Sequence, residues 1–280
     1  MNGRCTKFPP VWGHLEIPTS SRSAALAGLA LYAPCKRWTI FAHRLTWAVT
    51  AALGPAFLPG KRNVWQPPME DETWRGLLQE WEPGLGRPEG FVVYHRRPAG
   101  RQGFNLLALR NGEPRAFLKL RADAGTRLEN EYQALKRVRA YGPKSFTAPE
   151  CLALGERAGW HYLVLTPFPP RPHRPPRHER LEPVVAEIDA ALRTLPRGAE
   201  TPSHWRPMHG DLTPWNLRRL DTGPLILFDW EDAGWGPPGA DEVLFRATEA
   251  ALGSGRKVNG ERDHEEALAF WQERLARGSR

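Results

Sequence analysis

From Phe91 onward the chain breaks into short runs of mainly apolar residues bounded by turn signals, the pattern of strands. Phe91–Tyr94, Phe104–Leu109 and Ala116–Leu120 are three such runs. Asn111-Gly112 stands between the second and third. That pair favours a tight hairpin, because both residues tolerate positive φ. The pattern then changes. Leu128, Tyr132, Leu135 and Val138 recur at steps of three or four, which predicts a helix over 127–139. Two more strands are expected at 151–155 and 160–165, joined by a turn at Ala158-Gly159. Upstream, residues 1–21 read as irregular, and 22–33 and 36–53 as two helices broken at Pro34. In the second helix Trp38, Phe41, Leu45, Val49 and Leu53 form an apolar stripe, with Lys36, Arg37, His43 and Arg44 around it. Stripes of that kind usually face a core, so packing on the body of the protein is expected. A basic amphipathic helix resting on an anionic membrane is the alternative. A short helix over 71–81, an extended Pro- and Arg-rich connector over 169–177 and a helix over 181–195 complete the pattern.

Composition narrows the classes. The 280 residues are 41% hydrophobic and include 12 Trp, ample material for a core, so disorder of the whole chain is excluded. Lys and Arg outnumber Asp and Glu by 39 to 31, a balance suited to phosphate groups or an anionic membrane face. The basic residues are scattered and form no stripe with interleaved aromatics, which argues against nucleic acid. Cys5, Cys35 and Cys151 are far apart and show no metal-ligand spacing. The start, Met1 to Cys5, lacks the apolar core of a signal peptide, and the apolar run Ala24–Cys35 contains Pro34 and is too short to span a bilayer. A soluble, cytoplasmic protein is expected, with peripheral contact at the inner membrane face as the option.

The chemistry concentrates in His209-Gly210-Asp211-Leu212-Thr213-Pro214-Trp215-Asn216 and in Leu225 to Glu231. An Asp, an Asn five positions on and a second Asp after an apolar run form the layout of a phosphoryl-transfer site. One carboxylate takes the proton of the attacking hydroxyl. An amide oxygen and the second carboxylate hold magnesium, which prefers hard oxygen ligands. Asp and Asn in a Pro-containing loop often only bond their own backbone; the combined spacing favours the chemical reading. Asn216 and Asp229 are 13 positions apart, enough for a short hairpin that brings them together. Lys119 shares a strand face with Phe117, from which it can reach nucleotide phosphates as a point charge; a solvent-facing strand lysine is the alternative. Glu131 borders the buried face of the following helix and is the carboxylate expected to hold Lys119, with Glu129 as its rival. Arg96 to Gly103 stands where a phosphate-covering loop is needed. Gly100, Gly103 and Arg101 are its candidate contacts, although two glycines fail the strict three-glycine pattern.

These residues resemble the aminoglycoside phosphotransferase and choline kinase family, over about 88–250. The resemblance implies an α+β, two-lobed protein-kinase-like fold. Its antiparallel-sheet small lobe would span 87–168 and its short, mainly helical large lobe 169–280, behind a helical N-terminal extension over 1–86. It implies that Asp211 is the catalytic base, that Asn216 and Asp229 are magnesium ligands, and that His209 braces the loop. Asp241 matches a family Asp that supports the large lobe by capping a helix. Leu165-Thr166-Pro167-Phe168 should be the hinge, with backbone groups of Thr166 and Phe168 meeting adenine and Pro167 lacking one N–H. Phe117 departs from the pattern, since this fold usually puts a smaller side chain over the adenine; it would crowd the pocket or stack on the base. The large lobe is also short, with 42 positions from Pro167 to His209 and 51 after Asp229. The expected function is transfer of the ATP γ-phosphate, with Mg2+, to a hydroxyl of a small molecule: a sugar, an amino alcohol or a lipid-linked precursor. A pseudokinase or scaffold is the alternative reading.

Overall fold

The structure is a computed structural model and describes residues 3–11, 13–95, 103–122, 125–176, 180–221, 223–253 and 264–278. In chain order the elements are β1 (Arg4–Phe8), β2 (Leu15–Pro18), α1 (Arg22–Ala30), α2 (Arg37–Leu53), β3 (Lys61–Val64), α3 (Asp71–Leu85), β4 (Gly90–His95), β5 (Gly103–Arg110) and β6 (Glu113–Arg121). Then come α4 (Thr126–Tyr141), β7 (Phe146–Thr147), β8 (Cys151–Arg157), β9 (Trp160–Leu165), β10 (His173–Arg174) and α5 (Glu182–Leu192). The chain ends with β11 (Arg206–Met208), β12 (Leu217–Leu220), β13 (Leu225–Leu227), β14 (Gly234–Gly236), α6 (Ala240–Ala251) and α7 (Glu265–Gly278). Two compact units result. One comprises 1–33, 38–129 and 149–173, the other 34–37, 130–148 and 174–280.

The first unit is built on an eight-stranded sheet in the order β3-β1-β2-β4-β5-β6-β9-β8. Asn111 and Gly112 adopt φ of 53° and 74°, the left-handed pair that a tight hairpin requires, and β5 and β6 pair antiparallel on either side. Alternation gives the sheet two apolar faces. On one, Trp74, Leu77 and Trp81 of α3 pack over Phe91, Val93, Leu106, Leu118 and Leu120. On the other, Ala24, Ala25, Ala27 and Leu29 of α1 pack with Ile17, Val92, Leu107 and Leu109, and Phe117 joins that cluster. Ser21 starts α1 by accepting the N–H of Ala24 at 3.1 Å. Two expectations need correction. Residues 1–21 are not irregular: they supply β1 and β2, which pair with each other and, through β2, with β4. The aromatic stripe of α2 is not buried either. That helix docks through Ile40, His43 and Thr50, with the His43 imidazole bonded to the Leu29 carbonyl at 2.9 Å, while Trp38, Phe41 and Leu45 face solvent.

In the second unit β12 and β13 form an antiparallel hairpin with Leu217 opposite Leu227, and β13 runs parallel to β7. The run Leu225-Ile226-Leu227 is buried throughout, which explains its unbroken apolar character. β11 pairs with β14, and α6 and α7 enclose a core of Met208, Ala240, Val243, Ala267 and Trp271. The turn after α4 is pinned by Glu187 of α5, which accepts the N–H groups of Lys144 and Ser145 at 3.0 and 2.8 Å.

Candidate active site

Both chemical motifs lie in the second unit. The loop between β11 and β12 carries His209 to Asn216, and the stretch after β13 carries Asp229 to Glu231. The β12–β13 hairpin joins them, as the 13-residue spacing predicts. Asn216 donates through Nδ2 to the Asp211 carbonyl at 3.0 Å and to its carboxylate Oδ2 at 2.7 Å. Those bonds use the amide nitrogen and leave Oδ1 as the atom able to meet a cation. His209 is fully buried; its Nδ1 accepts the N–H of Asp211 at 3.2 Å, and its ring lies 4.6 Å from that of Trp230. These contacts are those of a residue that shapes the loop.

Asp241 sits in the first turn of α6, where it accepts the N–H of His209 at 2.7 Å and of Gly210 at 3.0 Å. The helix N-cap is Gly239, so Asp241 holds the backbone beside Asp211 rather than capping its own helix. Arg218 fixes the other end of the loop. Fully buried, it donates to the Pro214 carbonyl at 2.8 Å and to the Pro34 carbonyl at 3.0 Å. Burial lowers its guanidinium to about 10.

Electrostatically the site is crowded with acid. Burial, followed by the carboxylates of Asp229 and Asp232, raises Asp211 to about 7, and the Asn216 bond opposes the shift. Carboxylate oxygens of Glu131, Asp229 and Glu231 lie within 4.8 Å of one another. Trp230, between two of them, is completely buried and donates its N–H to Glu131 Oε1 at 3.3 Å. Asn130 of α4 donates to the carbonyls of Glu231 and Ala233 at 3.0 and 2.8 Å, so one helix supports both flanks of this loop. Asp229 has φ of 69°, a left-handed conformation that non-glycine residues adopt at a cost. The donor set is all hard oxygen, which suits magnesium.

The remaining sequence-predicted residues are distributed as follows. Lys119 is buried in β6, opposite Asn105 and Leu163, on the face that also carries Phe117. Glu131 is buried in α4 while its rival Glu129 is exposed. Gly103 opens β5 opposite Arg121, whereas Gly100 and Arg101 lie outside the described residues. The Thr166 N–H donates to the Glu150 carbonyl at 2.9 Å, so that group is not offered to adenine as expected. The Phe168 ring packs at 4.7 Å on His173. Sequence reasoning missed Arg218, Asn130, Arg121 and the part Glu231 plays. Arg121 is buried beside Lys119 in the strand and donates to Asn105 Oδ1 at 3.1 Å. Only for Glu231, two residues after Asp229, did the sequence hold a signal.

Residues 170–271 match the model of APH, the phosphotransferase enzyme family. The phosphotransferase-family stretch contains both motifs, which bears out the resemblance read from them. No curated protein sequence matches the chain. Among solved structures, an aminoglycoside-3'-phosphotransferase of type VIII is 22% identical, with a TM-score of 0.50 over 72% of this chain and 96% of that one. Spectinomycin phosphotransferase in complex with ADP and spectinomycin is 10% identical, with a TM-score of 0.49 over 70% of this chain and 83% of that one. The first likeness gives the fold: α+β and kinase-like, as the phosphotransferase family has it.

Proposed function

We propose that this protein is a phosphotransferase that moves the γ-phosphate of ATP to a hydroxyl of a small molecule, with Asp211 as the base that takes the hydroxyl proton. The observation that carries the reading is the pairing of a half-buried Asp211, oriented by the 2.7 Å bond from Asn216, with the three-carboxylate group of Glu131, Asp229 and Glu231. Asn216 Oδ1 and Asp229 would hold magnesium, whose charge neutralises the phosphates in such chemistry. Every other contribution is positional. Asp241 and His209 fix the backbone at Asp211, Arg218 fixes the end of the loop, and Lys119 would meet the nucleotide phosphates. Among the described residues, Gly103, Phe168 and the Thr166 carbonyl are the backbone candidates around the nucleotide. One similar structure is named an aminoglycoside-3'-phosphotransferase; for this chain a sugar, an amino alcohol or a lipid-linked precursor is the proposed acceptor class.

A second reading, a chain that keeps the fold without nucleotide chemistry, is favoured by one observation. Phe117 is packed into the cluster that α1 forms on the Lys119-bearing face of the sheet. In the kinase-like fold the side chain two residues before the lysine lies over the adenine. A thermal-shift titration with ATP and Mg2+, followed by a transfer assay across aminoglycosides, sugars, choline-like amines and lipid head groups, separates the readings. The phosphotransferase reading requires that wild type bind nucleotide and transfer phosphate, and that Asp211→Ala bind but not transfer. No stabilisation at millimolar ATP would instead establish the second reading.

A further inference from the structure

The exposed side of α2 is more apolar than its buried side. Trp38 is 69% exposed, Phe41 70% and Leu45 55%, and all three fall on one face at steps of three and four. Leu53, at 58%, ends the helix, and Phe57, at 57%, follows in the 3-10 turn of residues 55–57. Scattered single apolar residues on a surface need no explanation, but a contiguous aromatic face does.

Along this stretch of chain the charges are of one sign. Between Glu16 and Glu70 the chain contains no Asp or Glu, yet Arg22, Lys36, Arg37, Arg44, Lys61 and Arg62 all fall there. The fold places several of them at the border of the patch. Arg44 is exposed on the same helix, one turn from Phe41. Arg22 reaches the Ala52 carbonyl at 3.4 Å, beside Leu53. Arg62 donates to the carbonyls of Pro55 and Ala56 at 3.3 and 2.6 Å, which sets its charge against the turn that presents Phe57. No helix among the described residues is long and apolar enough to cross a membrane.

We propose that α2 and the turn after it form a docking face for an anionic lipid bilayer. The helix would lie in the plane of the interface, with Trp38, Phe41, Leu45 and Phe57 at the boundary between head groups and acyl chains, and with Arg22, Arg44 and Arg62 against lipid phosphates. Charge complementarity selects this occupant: a stretch of chain, 17–69, with six Lys and Arg and no Asp or Glu is suited to a uniformly negative surface. A second copy of the chain would bring the same positive rim against itself. The proposal is independent of the phosphoryl-transfer reading, and its test needs no nucleotide.

The test is co-sedimentation of the full chain with phosphatidylcholine vesicles, with and without phosphatidylglycerol, at low and high salt. Binding is expected to the mixed vesicles, and to fall steeply with salt. Trp38→Ser/Phe41→Ser and, separately, Arg44→Glu should each weaken it by about tenfold or more. These side chains are exposed, so unchanged thermal unfolding would show that the variants fold. Equal binding to neutral and mixed vesicles, or undiminished binding by both variants, overturns the proposal. So does a concentration-dependent dimer in light scattering that the aromatic double variant abolishes.

Discussion

Replacing Gly210 with Ala tests how tightly the two motif loops are held together. Gly210 has φ of +79°, and a Cβ there would fall 2.0 Å from the Asp232 carbonyl oxygen and 2.8 Å from its carbon. Neither side can yield cheaply. The N–H groups of His209 and Gly210 are bonded to Asp241, and the carbonyls of Glu231 and Ala233 to Asn130. About 1 Å of separation is needed to bring the 2.0 Å approach to a tolerable contact. The left-handed conformation costs an alanine about 1–2 kcal/mol and the overpacking about 1–3 more, so about 2–5 kcal/mol in all is expected. Gly142→Ala is the control. It also has positive φ, +68°, but a Cβ there meets nothing within 4 Å, so it should lose the conformational part alone. Denaturant unfolding of both variants isolates the packing cost by difference. The same displacement would move Asp211 relative to Asp229, and phosphate transfer should fall by about a hundredfold. If Gly210→Ala unfolds within about 0.5 kcal/mol of Gly142→Ala, or keeps full activity, the loops are not locked as described.

Other outcomes follow from the same geometry. Arg218→Met leaves the Pro214 and Pro34 carbonyls without their buried donor, and should cost about 2–4 kcal/mol in denaturant unfolding; a loss below about 0.5 kcal/mol refutes its anchoring role. Mg2+ alone should raise the melting temperature of wild type and have little effect on Asp229→Asn, because the cation would relieve repulsion within the Glu131, Asp229 and Glu231 group; equal shifts would place the ion elsewhere. Burial, against the N–H bonds from His209 and Gly210, raises Asp241 from 3.8 to about 6. The folded protein therefore holds this proton more tightly than the unfolded chain, so the contribution is full below the unfolded value and lost as pH rises to about 6. That shift corresponds to about 3 kcal/mol, and urea unfolding of wild type against Asp241→Asn at pH 4.5 and pH 7 should show the gap moving in the variant's favour by up to that amount; a pH-independent gap refutes it.

The parts of the fold legible in the sequence were those with sustained local patterns. β4, β5, β6, β8 and β9 are short, mainly apolar runs bounded by turn residues, α4 carries a clear three-four step, and Asn111-Gly112 names its own hairpin. β1 and β2 were missed because five and four residues are too few to show a period; pairing with β4 makes them strands. α2 was found, but its orientation was misread. Ile40, His43, Trp47 and Thr50 repeat at the same three-four step as Trp38, Phe41 and Leu45, so periodicity defines two faces without saying which is inward. The exposed set is the more apolar one, which reverses the usual assumption. In the site, Asp211, Asn216 and Asp229 announce themselves by spacing within one short stretch. Arg218 and Asn130 do not, because the carbonyls they bind lie up to 184 and 103 residues away. No local pattern encodes such a bond.

The two units bear on the nucleotide question in opposite directions. In the first, α1 and Phe117 fill part of the sheet face on which Lys119 stands, where a binder of ATP ordinarily keeps space. In the second, Glu131 and Glu231 are buried beside Asp229, and Asp211 is held by Asn216. Like charges sharing a desolvated site destabilise a fold unless something of opposite charge enters with them. Trp230 and the Asn130 bonds already hold the loop through backbone atoms. On the proposed reading a magnesium-bound nucleotide would bring a cation to these oxygens. On the proposed reading Phe117 would bear on how the base is received, since an adenine stacked on an aromatic side chain would need fewer hydrogen bonds from the chain. In the stretch expected as the hinge, Pro167 lacks an N–H and Thr166 gives its own to Glu150.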